Sequence, residues 1–324
     1  MLRIGLIGTG GISAVHLRYL KKREDVHIAA LCDIVPEHLE RRQREFGGTG
    51  YDDLHKMLAH EQLDAVWLCT PPQVRRAPLL DCARRGIPVM CEKPVERDAA
   101  LAAQIADELD ALGARVQIGY VLRCMPIVQE LRAAWRDDHV HVVQSHYSCP
   151  MSIERTMPAW FFDKALSGGA LVDQATHNFD LLRYLLGDVV DTGGMAANPV
   201  QAKQPGYTID ETLALTLRFA SGVLCTHVHS WVADAWRNEM VFGGEKRLYR
   251  LNIFAGTLRI EDKDGARDVT QDGARMYEFE NERFLNMVTS GDWSTNPCTY
   301  ADGLRTLQLT LACDAALQHA EAVS

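Results

Sequence analysis

No pair of cysteines sits at C-x-x-C spacing, and no apolar run reaches the length needed to cross a bilayer. The nine cysteines, at positions 32, 69, 82, 91, 124, 149, 225, 298 and 313, stand singly, several of them inside strand-like apolar runs. They are expected to be reduced, buried and to behave as small hydrophobes. An excess of positive charge is also lacking: 34 Lys and Arg face 43 Asp and Glu, giving a net charge of −9, with both signs interspersed along the chain. That balance opposes the broad basic surface that nucleic acid or anionic lipid requires, so neither is an expected partner. No internal repeat or low-complexity tract appears, and "MLRIGLIGTGG" enters a structural pattern at once, from which a cytoplasmic protein without a leader is expected. What is present is 324 residues with 47% apolar composition, enough for a large core and more consistent with two domains than one.

Apolar strand-like runs alternate with helix-like stretches from the start: "LRIGLIG", residues 12–22, "HIAALCD", 36–46, "DAVWLCT", 74–85 and "IPVMCE". This alternation predicts right-handed βαβ units and a parallel sheet covered on both faces. Asp98 is a candidate cap for a helix to about Leu112, before a strand at "RVQIGY", so the first domain is expected to close at residue 119. Beyond it the pattern changes. A helix from Pro126, a strand at "HVHVVQSHY", a helix over 170–186 and several alternating strands predict an α+β domain over 120–324. "TLALTLRFASGVLCTHVHSWV" alternates with period two around Ser221-Gly222, the pattern of an antiparallel hairpin with one covered face. Helical periodicity over 277–289 and 301–320 follows, and the last helix could return to the first domain.

"GLIGTGGISAVHL" places Gly8 and Gly10 just after a strand and opens a helix, the context a dinucleotide fingerprint needs. Ser13 takes the third position, where a small residue suffices for helix–strand packing. The helix N-terminus offers amides and a positive dipole end to a pyrophosphate. Asp33 ends the second strand, where a carboxylate accepts both ribose hydroxyls and repels a 2′-phosphate, which favours NAD over NADP. Arg41 and Arg42 in the following helix leave NADP open.

Lys93 in "CEKPVERDAA" stands at the carboxyl end of the fifth strand-like run, and ligands of open parallel sheets bind beyond such ends. Pro94 biases it away from helix, consistent with a side chain aimed at a defined point; the bland alternative is a lysine snorkelling to the surface. In "GGALVDQATHNFDLLRYLLG", Asp173, His177 and Asp180 fall at i, i+4 and i+7 and share one helix face, with Gly168 and Gly169 permitting close backbone approach just before.

Together "GLIGTGGISAVHL", "CTPPQ", "MCEKPV", "IGYVLRCMP" and "GGALVDQATHNFDLLRYLLGD", in this order and spacing, resemble the Gfo/Idh/MocA family of sugar and cyclitol oxidoreductases. The resemblance covers nearly the whole chain. It implies a Rossmann domain followed by an α+β domain with an open, mostly antiparallel sheet, whose exposed face often builds a homodimer or homotetramer. It implies cofactor contacts from Gly8, Thr9, Gly10, Gly11, Ile12 and Asp33, from Thr70 and Pro71, and from Glu92 and Lys93. Lys93 would polarise the substrate oxygen, His177 would be the acid/base, and Asp173 would orient the substrate or tune the two cations. The chemistry of alcohol oxidation agrees, because it must remove a hydride from carbon and a proton from oxygen. The implied activity is hydride transfer between a nicotinamide and a secondary alcohol or carbonyl of a sugar, cyclitol or related polyol. Redox-assisted glycoside cleavage with recycled NAD and a non-catalytic nucleotide-binding regulator are the alternatives.

Where the family commonly has histidine after "CTPP", this chain has Arg75, which could meet an anionic substrate, although an exposed helix arginine is the general expectation. The resemblance places Tyr120 and Arg123 in the substrate pocket, although a structural salt bridge is an equal expectation for Arg123. Trp160 could stack on a sugar ring or pack in a core or interface. His227 with His229, and His139 with His141, share strand faces without an evident third ligand. No metal is expected from them, and an exposed or interfacial sheet face is the better reading.

Overall fold

In the computed structural model, which describes residues 1–154, 157, 159–201 and 204–319, the strand-like runs of the first third become one sheet. β1 (Leu2–Ile7), β2 (Val26–Cys32), β3 (Thr49–Tyr51), β4 (Ala65–Leu68), β5 (Val89–Cys91) and β6 (Val116–Ile118) are all parallel, in the order β3-β2-β1-β4-β5-β6. This is the doubly wound dinucleotide-binding topology, and its direction of winding reverses between β1 and β4. Every residue of β4 and β5 is buried, as continuous apolar strands covered on both faces must be. β3, absent from the sequence reading, is a three-residue edge strand containing Gly50, too short to show a period. The helix Leu54–His60 behind it was also missed, although Asp53 caps it by accepting from the Lys56 amide.

By contacts the chain forms two units, Met1–Val121 with Tyr277–Arg305, and Leu122–Met276 with Thr306–Ser324. The sequence-based division at 119/120 leaves Tyr277–Arg305 with the second domain, whereas these residues group with the first. The reason is apolar: Phe284, Leu285 and Met287 of the helix Met276–Ser290 are buried in one cluster with Ile4, Leu6, Leu17, Leu31 and Trp67. Phe284 meets the Trp67 ring edge-on, with centroids 4.9 Å apart. The same segment covers the open edge of β6, where the Ile118 amide donates to the Cys298 carbonyl and Asn296 donates to the Val116 carbonyl.

The second unit is built on a nine-stranded mixed sheet: β7 (Val140–Ser148), β8 (Val189–Ala197), β9 (Thr212–Phe219), β10 (Leu224–Ser230), β11 (Arg237–Gly244), β12 (Leu248–Asn252), β13 (Thr257–Asp262), β14 (Gly265–Thr270) and β15 (Leu317–His319). Their order is β14-β13-β12-β11-β7-β10-β9-β8-β15, antiparallel except at β7–β10 and β8–β15. The expected hairpin is β9–β10, turning through Gly222 at φ +90°. The expected helix over 170–186 is divided into a π-helical turn, Leu171–Ala175, and an α-helix, Thr176–Leu186. The last helix runs over Tyr300–Ala315 and yields to β15; Ala320, the expected end, lies outside the described residues. Among the described residues no helix is long and apolar enough to cross a membrane.

One sheet face is turned opposite to expectation. His227 and His229, read as exposed or interfacial, are fully buried, while Leu224 and Val228 between and before them point outward. The covered face packs under the helix Thr176–Leu186: the Phe179 ring lies 5.1 Å from that of His227, and Asn178 donates to Ser145, which bonds His227 Nδ1 at 2.9 Å. His139 and His141 are exposed. Burial pushes His227 down to about 3, and burial with the nearby His227 and His146 pushes His229 well below the usual histidine range. Both are therefore neutral in the fold and protonate on unfolding. Their contribution to stability is complete above the unfolded value of about 6.5 and is lost as pH falls below it toward the folded values. Urea unfolding at pH 5 should show stability lower by about 2 kcal/mol per histidine than at pH 7.5. In His229→Leu the pH 5 deficit should shrink; an unchanged deficit would refute the assignment.

Candidate functional site

The glycine loop after β1 is shaped by backbone needs. Gly8 has φ +87°, and a Cβ there would meet the Cys69 carbonyl carbon at 2.8 Å, so no other residue fits. Around Gly10 and Gly11 a Cβ would meet nothing within 4 Å, which leaves the loop open to a ligand's approach. The helix Gly11–Leu20 begins there without a side-chain cap, so its first amides are available to a pyrophosphate. Ser13 is fully buried, as the third fingerprint position requires, and its hydroxyl donates to the Gly10 carbonyl at 2.6 Å. Asp33 follows β2 directly, beside the loop, its Oδ2 accepting from the Thr9 amide and hydroxyl at 2.6 and 2.8 Å and its Oδ1 from the Val35 amide at 2.9 Å. These residues fit an adenine dinucleotide: amides for the phosphates, a half-buried carboxylate for the ribose. Of the two arginines that left NADP open, Arg42 is buried and turned onto the loop, donating to the Gly10 carbonyl at 2.9 Å and pairing with Glu45. Arg41 is exposed.

Beyond β4 and β5, in the same unit, lie Thr70, Pro71, Glu92 and Lys93. Thr70 is half-buried and Pro71 exposed. Glu92 and Pro94 are buried, whereas Lys93 between them is half-buried. The Glu92 carboxylate, expected at the cofactor, is directed inward: Oε1 bonds His16 Nε2 at 2.9 Å, and Oε2 accepts the Lys93 amide at 3.2 Å. Burial raises the Glu92 pKa, but the His16 hydrogen bond and charge, with Lys93 and Arg75, outweigh it and hold the carboxyl below its usual range. Arg75 corrects its general expectation. It is 3% exposed, and its guanidinium reaches the carbonyls of Thr70, Glu92, Lys93 and Pro94. Tyr120, expected in the substrate pocket, is 1% exposed.

Sequence reasoning missed the partners of Glu92. His16 Nδ1 bonds Asn281 Oδ1 at 3.0 Å, and the same oxygen accepts the Trp67 indole N–H at 2.7 Å. Glu280, adjacent to Asn281, is fully buried with neither carboxyl oxygen hydrogen-bonded among the described residues. Burial, reinforced by the Glu92 carboxylate, pushes its pKa well up. Donor atoms of His16, Glu92 and Glu280 lie within 4.8 Å of one another, a spacing that three ligands of a metal ion can adopt. A proton on Glu280 meets the same need for neutrality. The histidine inside the fingerprint helix and the acid beside an asparagine in "YEFENERF" were the available signals; nothing in either segment names the other.

In the second unit Asp173 sits in the π-helical turn and His177 in the first turn of the following α-helix, both half-buried. Gly168, at φ +84°, brings the chain so close that a Cβ would lie 2.9 Å from that of Val172. Asp180, expected on the same face, is instead fully buried, and Arg123 grips it with both arms at 2.7 Å. The Arg123 guanidinium also lies 5.0 Å from the Tyr184 ring centroid. The structure therefore makes Arg123 one half of a buried ion pair, the structural alternative of the sequence reading. Trp160 is 48% exposed, packed edge-on against Phe161.

The family model described as "Oxidoreductase family, NAD-binding Rossmann fold" matches residues 2–120, and that described as "GFO/IDH/MocA C-terminal domain" matches residues 129–250. The chain is 26% identical over 292 residues to the myo-inositol 2-dehydrogenase of Thermotoga maritima, covering 87% of this chain and 84% of that relative. It is 30% identical over 236 residues to inositol 2-dehydrogenase 4 of Saccharopolyspora erythraea, covering 69% and 65%. The solved UDP-N-acetylglucosamine 3-dehydrogenase of Acidithiobacillus ferrooxidans shares the fold, with a TM-score of 0.82, 21% identity and coverage of 98% and 97%.

Because the folded pKa of Glu280 is raised, its contribution to stability is complete below the unfolded carboxyl value near 4.3 and is lost as pH rises toward the folded value. Glu280→Gln removes this dependence. The variant should melt higher than the parent at pH 8 and gain less at pH 5; an equal shift at both values would show that Glu280 ionises freely.

Proposed function

The chain belongs to the Gfo/Idh/MocA oxidoreductase family, and from that membership we propose that it transfers a hydride between NAD and a secondary alcohol or carbonyl of a sugar, cyclitol or related polyol. The observation that carries the reading is the local arrangement in the first unit. Of Glu92, Lys93 and Pro94, only the lysine is left partly open, in the same unit as an uncapped glycine loop and the Asp33 carboxylate. NAD rather than NADP is favoured because Asp33 places a negative charge where a 2′-phosphate would sit and because Arg42 is engaged with the loop. Bound NAD supplies the hydride acceptor. Lys93 stabilises negative charge developing on the substrate oxygen, His177 takes the hydroxyl proton, and Asp173 orients the hydroxyl. A histidine suits the proton step because its pKa lies near neutrality. The polyol class is supported by the names of the inositol dehydrogenase relatives.

The outward face of the second sheet supports a homo-oligomer, as does the resemblance to the family. Val142 and Leu224 are cross-strand neighbours, and Met195, Ala214 and Val228 lie in register across three strands, all exposed. A second copy of the chain is the proposed occupant.

Purified protein with NAD and a panel of sugars, inositols and sugar acids should generate reduced-nicotinamide absorbance with at least one polyol. Lys93→Ala and His177→Ala should each lower kcat by about a hundredfold or more while calorimetric NAD binding persists. Absence of absorbance with every polyol despite NAD binding, or undiminished turnover in the variants, would refute the reading. Light scattering should give a dimer or tetramer mass, and Leu224→Glu with Val228→Glu should reduce it; a monomer in the parent would remove the second copy.

A further inference from the structure

Arg75 donates to four backbone oxygens. Nε and Nη2 reach the Thr70 carbonyl at 2.9 and 2.6 Å, Nη2 also reaches the Lys93 carbonyl at 3.4 Å, and Nη1 reaches the carbonyls of Glu92 and Pro94. Thr70 follows β4 and the other three residues follow β5. The ladder between these strands ends at Leu68 and Cys91, with one further bond from the Glu92 amide to the Leu68 carbonyl. Past that point the guanidinium replaces the ladder.

We propose that Arg75 is a positioning residue for the reaction, fixing the direction of the Lys93 side chain by holding the peptide planes on either side of its Cα. A peptide unit is planar, so a residue's direction is set by the two planes that flank it. The plane before Lys93 carries the Glu92 carbonyl and the plane after it carries the Lys93 carbonyl, and both oxygens point into the same guanidinium. The amide of the first plane is held in addition by Glu92 Oε2. With both planes held, φ and ψ of Lys93 are fixed, and with them the Cα–Cβ vector. Arginine suits this task because it presents five donors in a rigid planar fork and stays charged when buried; lysine offers a point charge on a flexible stem. The proposal rests on the reading of Lys93 as the group that meets the substrate oxygen.

The test uses the full chain with Arg75→Ala, Arg75→Lys and Arg75→Gln, measuring polyol kinetics, NAD affinity, melting temperature and amide exchange by mass spectrometry. In Arg75→Ala, kcat should fall about a hundredfold, while the polyol KM and the NAD Kd stay within about threefold of the parent. Exchange over residues 91–96 should accelerate while β2 exchanges as in the parent. Millimolar guanidinium should restore part of kcat to Arg75→Ala and none to Lys93→Ala. Unchanged kcat, or a kcat loss that only tracks lost NAD affinity and a lower melting temperature, would overturn the proposal. Should Arg75→Ala fail to fold, Arg75→Lys decides: parental kcat overturns the proposal, and a selective loss with faster exchange at 91–96 supports it. If the parent turns over no polyol, the functional reading has failed on its own. Exchange then decides alone, and unchanged protection of 91–96 in every Arg75 variant overturns the positioning role.

Discussion

The nucleotide-facing end of the first unit depends on how a three-residue strand is continued once its ladder stops. β5 gives only three residues to the sheet, and the turn that follows must hold a charged side chain in place without further strand pairing. Two buried groups do this from different directions. Arg75 gathers the turn's carbonyls, and His16 draws the Glu92 side chain inward. Each interaction also satisfies a polar group that would otherwise be costly to bury: a guanidinium meets oxygen dipoles, and a carboxylate meets an imidazole oriented by Asn281. The turn is thus tied to β4, to the fingerprint helix and, through Asn281, to the helix Met276–Ser290.

That last tie explains why residues from late in the chain group with the first unit. Phe284, Leu285 and Met287 complete the apolar core under β1 and β4, while Glu280 and Asn281 of the same helix complete the polar cluster around His16. One helix therefore supplies both packing and polar partners. The second unit manages burial differently. It keeps His227 and His229 neutral inside a covered sheet face and encloses Asp180 with Arg123, where burial pushes the Asp180 pKa up and the paired hydrogen bonds to Arg123 counter only part of that desolvation.

What the sequence revealed and what it concealed follow from the range of each interaction. The parallel sheet was legible because its strands are continuous apolar runs, and the loop because glycine is obligatory at position 8. The position of Lys93 just past a strand end was legible, because β5 is a wholly apolar run that stops at Cys91. The burial of Arg75 was not, because its partners are backbone carbonyls, which every residue carries and no motif records. For Arg123 a structural salt bridge was one of two equal expectations, but its partner was not legible, since Asp180 lies 57 residues away and was read only as sharing a helix face with Asp173 and His177. Period two in β10 gave two faces, but the face of His227 and His229 was read as exposed or interfacial, whereas it is Leu224 and Val228 that face outward. The covered face holds histidines because Ser145 and Phe179 come to meet His227 from other elements.

The same distinction bears on which site residues can be trusted from pattern alone. A dinucleotide imposes nearly the same geometry wherever it binds, so its loop, helix and acid recur at fixed spacing. A substrate imposes no such spacing, and residues near it are chosen by loops and by buried partners. Asp173 and His177 remain half-buried, while Asp180, three residues beyond His177, is sealed; the edge of the buried face falls between them. A side chain on the open side of that edge stays accessible to solvent, and one on the sealed side meets only its protein partners. Helical spacing places all three together, but burial separates Asp180 from the other two.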